Sequence, residues 1–98
     1  MTPPRLTNDE IAARLLGSAW TLDGAMIVRD LKFVDFAAAI AFVDRVAEVA
    51  ETYDHHPDIL VHGWNKVKLS LTNHAAGGLT EIDFDMAARF ETLHGQPA

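Results

Sequence analysis

The sequence contains no cysteine among its 98 residues. Disulfide bridges, thiolate catalysis and cysteine-ligated zinc are therefore excluded. Positive charge is also scarce, because 8 Lys and Arg residues stand against 14 Asp and Glu residues and the formal net charge is −6. Sequence-independent binding to nucleic acid needs a basic face that neutralises phosphates, and no Lys/Arg run provides one. We therefore expect no direct nucleic-acid partner.

Long apolar segments are missing as well. The N-terminal stretch MTPPRLTNDE has no apolar core of the kind found in a secretory signal. The longest apolar run, FAAAIAFV, is far too short to span a bilayer. Because a small domain without disulfides fits the cytoplasm better than the exterior, we expect a soluble, cytoplasmic protein with no membrane partner.

The composition is that of an ordinary globular domain. Hydrophobic residues make up 49% of the chain and charged residues 22%, both close to average values. The length suits one domain with a modest core and leaves no room for a second. We expect a single domain over residues 1–98, with disorder only at the two ends.

Local signals predict the order of the elements. Thr7 and Glu10 form a capping box that opens a helix. Asp23-Gly24 is a turn signal inside a hairpin over 20–33, and Asp35 caps a helix that runs to about Tyr53 and must stop before Pro57. A strand follows at 64–72, with room for another before it, and a second capped helix covers 79–93. This order favours helices on one face of a small antiparallel sheet.

The apolar periodicity predicts which side chains of these elements face the core. On the later strand Val67, Leu69 and Leu71 alternate with polar residues and are expected to point inward. Helical spacing selects two further sets. They are Phe36, Ala39, Ile40, Val43, Val46, Ala47 and Ala50 in the long helix, and Ile82, Met86, Phe90 and Leu93 in the last one.

Two adjacent histidines, His55 and His56, stand in the stretch ETYDHHPD where the long helix ends. One interpretation is a polar surface turn, since a histidine near a helix C-terminus interacts favourably with the helix dipole. A metal site needs three or four converging ligands, and adjacent histidines point in different directions, so we expect no metal. An acid–base site is the third interpretation, because histidine titrates near neutral pH and can both accept and donate a proton.

The acid–base interpretation draws in residues elsewhere in the chain. Glu51, one helical turn before His55, could hold an imidazole in a defined tautomer. His74 follows the strand at 64–72 and precedes the flexible AAGG segment, where a rigid scaffold commonly presents chemical groups. Two such groups on opposite sides of a small substrate could carry out an elimination, with one removing a proton while the other protonates the leaving hydroxyl.

The remaining polar and aromatic candidates have structural interpretations. His62, in a turn-like stretch, and His94, near the C-terminus, are expected at the solvated surface. Asp83 occupies the third position of the last helix, where an acidic side chain caps the N-terminus, and a catalytic role is compatible with that one. Trp20 and Trp64 are expected in the core or in an interface.

Five elements of the sequence resemble, in order and spacing, the pattern of pterin-4a-carbinolamine dehydratases. That pattern has an acidic residue, His-His-Pro, an aromatic residue, a histidine and an aspartate. The matching segments are Glu51, His55-His56-Pro57, Trp64-Asn65-Lys66-Val67, His74 and Gly78-Leu79-Thr80-Glu81 with Asp83. The resemblance covers about residues 6–93.

The resemblance implies an α+β fold, a small four-stranded antiparallel sheet with three helices packed on one face. It implies a hydro-lyase that dehydrates 4a-hydroxytetrahydropterin to quinonoid dihydropterin without a metal or organic cofactor, in tetrahydropterin regeneration. By resemblance the catalytic residues are His55, His56 and His74, with Glu51 and Asp83 as supporting carboxylates. Residues implied to line the pterin site are Asp54, His55, His56, Thr72, Asn73 and His74.

The resemblance also implies a homodimer or homotetramer, and an aromatic amino-acid hydroxylase as a pathway partner. Two alternatives stay open at this point: a non-enzymatic dimerisation or regulatory partner protein of the same fold, and an enzyme for a different pterin-like substrate. The sequence departs from the family pattern at Ile59, where an aromatic residue is common, and at Asn73, where a threonine is frequent. The first change would reshape a wall of the pocket, and the second would alter a hydrogen bond to the pterin ring.

Overall fold

The computed structural model describes residues 3–95, which form one four-stranded antiparallel sheet and three helices. The strand order is β1-β2-β4-β3, so the sheet is open and both β1 and β3 are edge strands. The α+β architecture implied by the resemblance is confirmed. The elements in chain order are α1 (Asn8–Leu15), β1 (Thr21–Asp23), β2 (Met26–Lys32), α2 (Phe36–Tyr53), β3 (Asp58–His62), β4 (Lys66–Leu71) and α3 (Glu81–His94). The expected disorder of the chain ends concerns residues that lie largely outside the described range.

All three helices contribute side chains to one core on the same face of the sheet. The predicted alternation in β4 is confirmed, because Val67, Leu69 and Leu71 are fully buried. They share a cluster with residues of α2 and α3, and Ile11 and Leu15 of α1 pack against that cluster. The other face of the sheet is left without a helix.

The helix starts follow their capping signals. In α1 the Thr7 hydroxyl accepts a hydrogen bond from the Glu10 N–H at 3.1 Å, and the Glu10 carboxylate accepts one from the Thr7 N–H at 2.8 Å. The Thr7 backbone hydrogen bond, followed by that of its side chain, lowers the pKa of the exposed Glu10 carboxyl. The Asp35 carboxylate caps α2 by accepting from the Ala38 N–H at 2.7 Å.

The buried face of α2 differs from the predicted one. Phe36 is 54% exposed and Ala47 is also exposed, although both were expected inside, whereas Phe42 is fully buried. The cause is the position of α3, which packs on the Phe42 side of α2. The residues on that side of α2 are therefore the ones that become buried. The buried residues of α2 are Ala39, Phe42, Val46 and Ala50.

His94 and Phe42 meet in an aromatic cluster at the C-terminal end of α3. The ring centroids of Phe33 and Phe42 lie 5.1 Å apart, and the His94 ring stands edge-on to both at 5.7 and 6.0 Å. His94 is therefore half-buried and packed, and the expectation of a solvated surface histidine was wrong. The helix continues to His94, so its ring is carried onto the two phenylalanines instead of fraying away from them.

The second hairpin places His62 and Trp64 differently from the sequence interpretation. His62 is the last residue of β3 and not part of a turn, although it is exposed as expected. Trp20 lies in the core as expected. Trp64 is 63% exposed in the turn between β3 and β4, so it lies outside the core, and its place in an interface stays a prediction. Within residues 3–95 no helix combines the length and apolar character needed to cross a membrane.

Replacing Phe42 by Ala is expected to cost about 3–5 kcal/mol of unfolding free energy, since it leaves a cavity between two aromatic neighbours. Phe36→Ala, in the same helix, removes a side chain that is 54% exposed and is the matched control, with an expected loss below about 1 kcal/mol. Urea unfolding followed by circular dichroism measures both. Equal losses for the two variants would contradict the described orientation of α2.

Candidate active site

Three chain segments converge at one end of the sheet. The β3–β4 ladder pairs Asp58 with Ser70, so the segment before β3 and the segment after β4 leave the ladder at the same end. The first carries His55 and His56, and the second leads to His74. A bridge between Asn73 and Gly78 then closes the loop and returns the chain to the start of α3.

The end of α2 holds the backbone of His55 in place. Asp54 adopts a left-handed conformation with φ 51°. Its N–H donates to the Glu51 carbonyl at 3.3 Å, and the His55 N–H donates to the Ala50 carbonyl at 3.1 Å. This pair of bonds is a Schellman motif, which satisfies the last carbonyls of a helix and sets the direction in which the chain leaves it.

The side chain of His55 is held by Asp83 at the start of α3. The distance from His55 Nε2 to Asp83 Oδ1 is 2.6 Å, with the two side chains 12% and 0% exposed. The other carboxylate oxygen accepts hydrogen bonds from the Thr80 N–H at 2.8 Å and the Thr80 hydroxyl at 3.2 Å. The predicted capping role of Asp83 is confirmed, and the same carboxylate binds a histidine.

This arrangement defines how His55 can act chemically. With Asp83 ionised, its carboxylate can only accept hydrogen bonds, and the shared proton then sits on Nε2 of His55. In the neutral imidazole Nδ1 is then an acceptor, free to take a proton from a bound molecule. A buried carboxylate also stabilises the imidazolium that such a transfer would create.

His56 and Glu51 form a looser pair on the surface. His56 Nε2 lies 3.5 Å from Glu51 Oε1, and the two side chains are 53% and 79% exposed. Exposed ion pairs contribute little free energy. The imidazole next to Glu51 is therefore that of His56, whereas His55, one helical turn from Glu51 in sequence, binds Asp83.

His74 is exposed at the beginning of the turn that follows β4. Gly77 adopts φ 76°, and its N–H donates to the carbonyls of Asn73 and His74 at 3.0 and 3.2 Å. The Asn73 side-chain oxygen accepts from the Ala76 N–H at 3.1 Å. These bonds order the backbone of the loop and leave the His74 ring at the surface.

Some of the residues implied to bind substrate already serve the fold. The Thr72 hydroxyl donates to the Ala25 carbonyl at 2.7 Å, which ties the end of β4 to the first hairpin. The Asn73 oxygen closes the turn described above, and Asp54 ends α2. Pterin contacts from these side chains would have to use their remaining donors or acceptors.

The N-terminal segment also reaches this region, which no sequence signal indicated. The Leu6 N–H donates to the Leu79 carbonyl at 2.8 Å, and Arg5 Nη1 lies 3.5 Å from the Gly77 carbonyl, 72 positions away in sequence. A surface cleft of about 690 Å³ lies between this segment, the first hairpin and Gly77–Leu79. Its lining contains no histidine, so it adjoins the His74 loop without including its ring.

Within the part of the chain that the structure describes, no group of three or more His, Asp or Glu side chains is arranged to hold a metal ion.

Comparison with known proteins shows which family and which relatives the chain resembles. Residues 4–93 match the family model described as pterin 4 alpha carbinolamine dehydratase. A protein of Acidobacterium capsulatum named "Putative pterin-4-alpha-carbinolamine dehydratase" is 51% identical over 90 residues, which cover 91% of this chain and 97% of that protein. A protein of Chloroflexus aurantiacus with the same name is 48% identical over 93 residues, 94% of this chain and 99% of its own.

Two solved structures share the fold. A "transcriptional coactivator/pterin dehydratase" from Brucella melitensis superposes with a TM-score of 0.86 at 36% identity, over 93% of this chain and 99% of that one. A "pterin dehydratase-like protein" described as a RuBisCO assembly factor in the alpha-carboxysome has a TM-score of 0.63 at 26% identity. The superposition covers 80% of this chain and 89% of that one.

Asp83→Ala is expected to destabilise the protein by about 3–5 kcal/mol, because it leaves the buried His55 and Thr80 donors without their acceptor. Glu10→Ala removes the acidic residue of the same capping position in α1, where the side chain is exposed. The loss there should be much smaller. Denaturant unfolding of both variants tests whether Asp83 does more than cap a helix, and similar losses would show that it does not.

Proposed function

The chain belongs to the pterin 4 alpha carbinolamine dehydratase family, and on that premise we propose that it converts a 4a-hydroxytetrahydropterin to quinonoid dihydropterin and water. The enzyme would be a hydro-lyase that uses histidine acid–base catalysis. The single observation that carries the proposal is the 2.6 Å hydrogen bond from His55 to a fully buried carboxylate. Such a bond orients the imidazole. Burying the carboxylate that accepts it costs desolvation free energy, and arrangements of this kind are concentrated at functional sites.

The chemistry of the reaction matches two proton-transfer groups. The C4a–O bond breaks, and the leaving hydroxyl takes a proton from a general acid to become water. The N5–H bond breaks, its proton goes to a general base, and its electron pair forms the C4a=N5 double bond. No electrons are gained or lost overall, so two groups that titrate near neutral pH are sufficient.

We assign proton exchange with the substrate to His55 and His74. In this assignment Nδ1 of His55 contacts the substrate, while Asp83 is a positioning residue that keeps the proton on Nε2. His56, held loosely by Glu51, orients the substrate or acts as the alternate acid for the other stereoisomer. Asp54, Thr72 and Asn73 would line the pterin site beside them.

The wider setting follows from the same family membership. We propose that the protein acts in the cytoplasm as a homodimer or homotetramer, and that an aromatic amino-acid hydroxylase supplies its substrate. Edge strand β3 supports self-association, because Ile59 and Leu60 are exposed on it at 36% and 53%. Exposed apolar side chains on an unpaired edge favour pairing with another chain.

A second candidate is a non-enzymatic dimerisation or regulatory partner of the same fold. The exposed edge of β3 and the exposed alanines of α2, including Ala37 and Ala47, could serve such a role as well as an enzyme's own assembly. Of the two solved neighbours, one is described as a transcriptional coactivator as well as a pterin dehydratase, and the other as a RuBisCO assembly factor. Carbinolamine turnover no faster than in buffer would favour this candidate over the enzyme.

His55→Ala and His74→Ala are each expected to lower the rate of quinonoid dihydropterin formation by about 10²–10⁴-fold, the usual contribution of a general acid or base. The matched control is His62→Ala, an exposed histidine at the other end of β3, which should keep the wild-type rate. Absorbance of the quinonoid product, corrected for the buffer rate, measures all three. Unchanged rates in both site variants would refute the role assignment.

Asp83→Asn tests the positioning role separately from folding. If Asp83 sets the protonation of His55, the pH–rate profile of this variant should shift as well as its maximum rate. A variant that is merely less stable would lose amplitude in proportion to unfolded protein and keep the wild-type profile.

A further inference from the structure

The three lysines of the chain lie together on the sheet although they are far apart in sequence. Lys32 ends β2, and Lys66 and Lys68 lie at the start of β4. The β2–β4 register pairs Lys32 directly with Lys66 and pairs Asp30 with Lys68. All three occupy the end of the sheet away from the His74 loop.

Strand alternation places these lysines on the face that carries no helix. Leu31 and Val67, their neighbours in sequence, are buried in the core on the helix side. Because successive side chains of a strand point to opposite faces, Lys32, Lys66 and Lys68 point to the open face. His62, paired with Lys66 in the β3–β4 ladder, lies on that face too.

Asp30 stands directly opposite Lys68 and offsets part of this positive charge, whereas Lys32 and Lys66 face each other. Among residues 3–95 no lysine Nζ lies within 4.0 Å of a carboxylate oxygen. Like charges directly opposite each other in a sheet are destabilising, so the pairing of Lys32 with Lys66 costs stability. Asp58, the acidic residue of β3, shares this face but pairs with Ser70 at the opposite end of the sheet.

An exposed tryptophan stands at the tip of the same hairpin. Trp64 has φ 58°, a conformation that bulky side chains rarely adopt, and it is 63% exposed. The next residue, Asn65, is buried and fixes the turn. Its backbone carbonyl accepts a hydrogen bond from the Phe33 N–H at 2.8 Å, and its side-chain amide donates one to the Phe33 carbonyl at 3.0 Å. Strained backbone of this kind is concentrated at functional positions.

Lys66 also reaches the hairpin tip, beside the glycine that precedes Trp64. The Lys66 ammonium lies over Gly63, 3.4 Å from the position that a Cβ atom would occupy there. Asp30, Leu31, Lys32, His62 and Lys66 line a shallow recess of about 270 Å³ between the strands. This end of the sheet therefore combines a concavity, ammonium groups that outnumber the one carboxylate beside them, and a large exposed aromatic side chain.

We propose that this surface, formed by Lys32, His62, Trp64, Lys66 and Lys68 and here named the basic hairpin surface, docks an acidic segment of another protein. Carboxylates of the segment would pair with the ammonium groups and relieve their mutual repulsion. An apolar side chain beside them would pack on Trp64, since tryptophan is among the residues that anchor protein interfaces. This role is separate from catalysis at the other end of β4.

The charge distribution favours a protein segment over nucleic acid. Binding along a phosphate backbone needs many cations in a row and a favourable long-range field. The basic hairpin surface offers three lysines, and the chain as a whole is acidic, so a long polyanion is repelled by the rest of the molecule. A short acidic segment needs only the local patch.

The test uses the full chain and a fluorescein-labelled peptide of glutamate and aspartate interrupted by leucines. Fluorescence anisotropy at low salt should show binding to the wild-type protein that weakens as salt is added. Lys66→Glu should weaken binding by about tenfold or more. Arg5→Glu makes the same change of charge beside Gly77, near the other end of β4, and should leave the affinity within about twofold.

Trp64→Asn separates binding from folding. Asparagine tolerates a positive φ, so this variant should unfold at a temperature no lower than the wild type while its affinity for the peptide falls by about tenfold. Carbinolamine turnover should be unchanged in both the Lys66 and Trp64 variants, so the result does not depend on the proposed dehydratase activity.

Four outcomes would overturn the proposal. The first is no peptide binding by the wild-type chain at low salt, and the second is equal affinity for the wild type, Lys66→Glu and Arg5→Glu. The third is tighter binding of a single-stranded oligonucleotide of the same charge than of the peptide. In the fourth, Lys66→Glu dissociates an oligomer of the chain in sedimentation, which would make a second copy the occupant of the surface.

Discussion

The carboxylate of Asp83 is the group on which the candidate active site depends. It is fully buried, and one oxygen caps α3 through Thr80 while the other binds His55. A buried charge is tolerated only where hydrogen bonds satisfy it, so the end of α2 and the start of α3 must meet at this point. Helix packing and site geometry are therefore set by the same few bonds.

The sheet separates two surfaces with different chemistry. At one end of β4 the chain enters the His74 loop, and at the other it leaves the hairpin tip that carries Trp64. The six residues of β4 put these ends on the order of 17 Å apart. A docked segment on the basic hairpin surface would thus leave a pterin site free, and the two can be changed by mutation independently.

The accuracy of the sequence predictions follows the range of the interactions involved. The caps formed by Thr7, Asp35 and Asp83 and the alternation along β4 depend on neighbours a few positions away, and all were confirmed. The errors came from contacts between elements. Phe42 lies inside because of where α3 packs, and His94 meets two rings for the same reason. Periodicity locates an apolar stripe, but the neighbouring helix decides which edge of it is covered.

The sequence by itself determined the α+β class, the helix ends and the histidine motif that indicates the family. Each of these depends on the spacing of residues that lie close together in the sequence. Only the tertiary structure decided that Asp83, 28 positions from His55, serves that imidazole and that Glu51 lies beside His56. It also brought three dispersed lysines onto one face. Strand register and helix docking set these pairings, and they depend on the free energy of the whole core, which no local pattern contains.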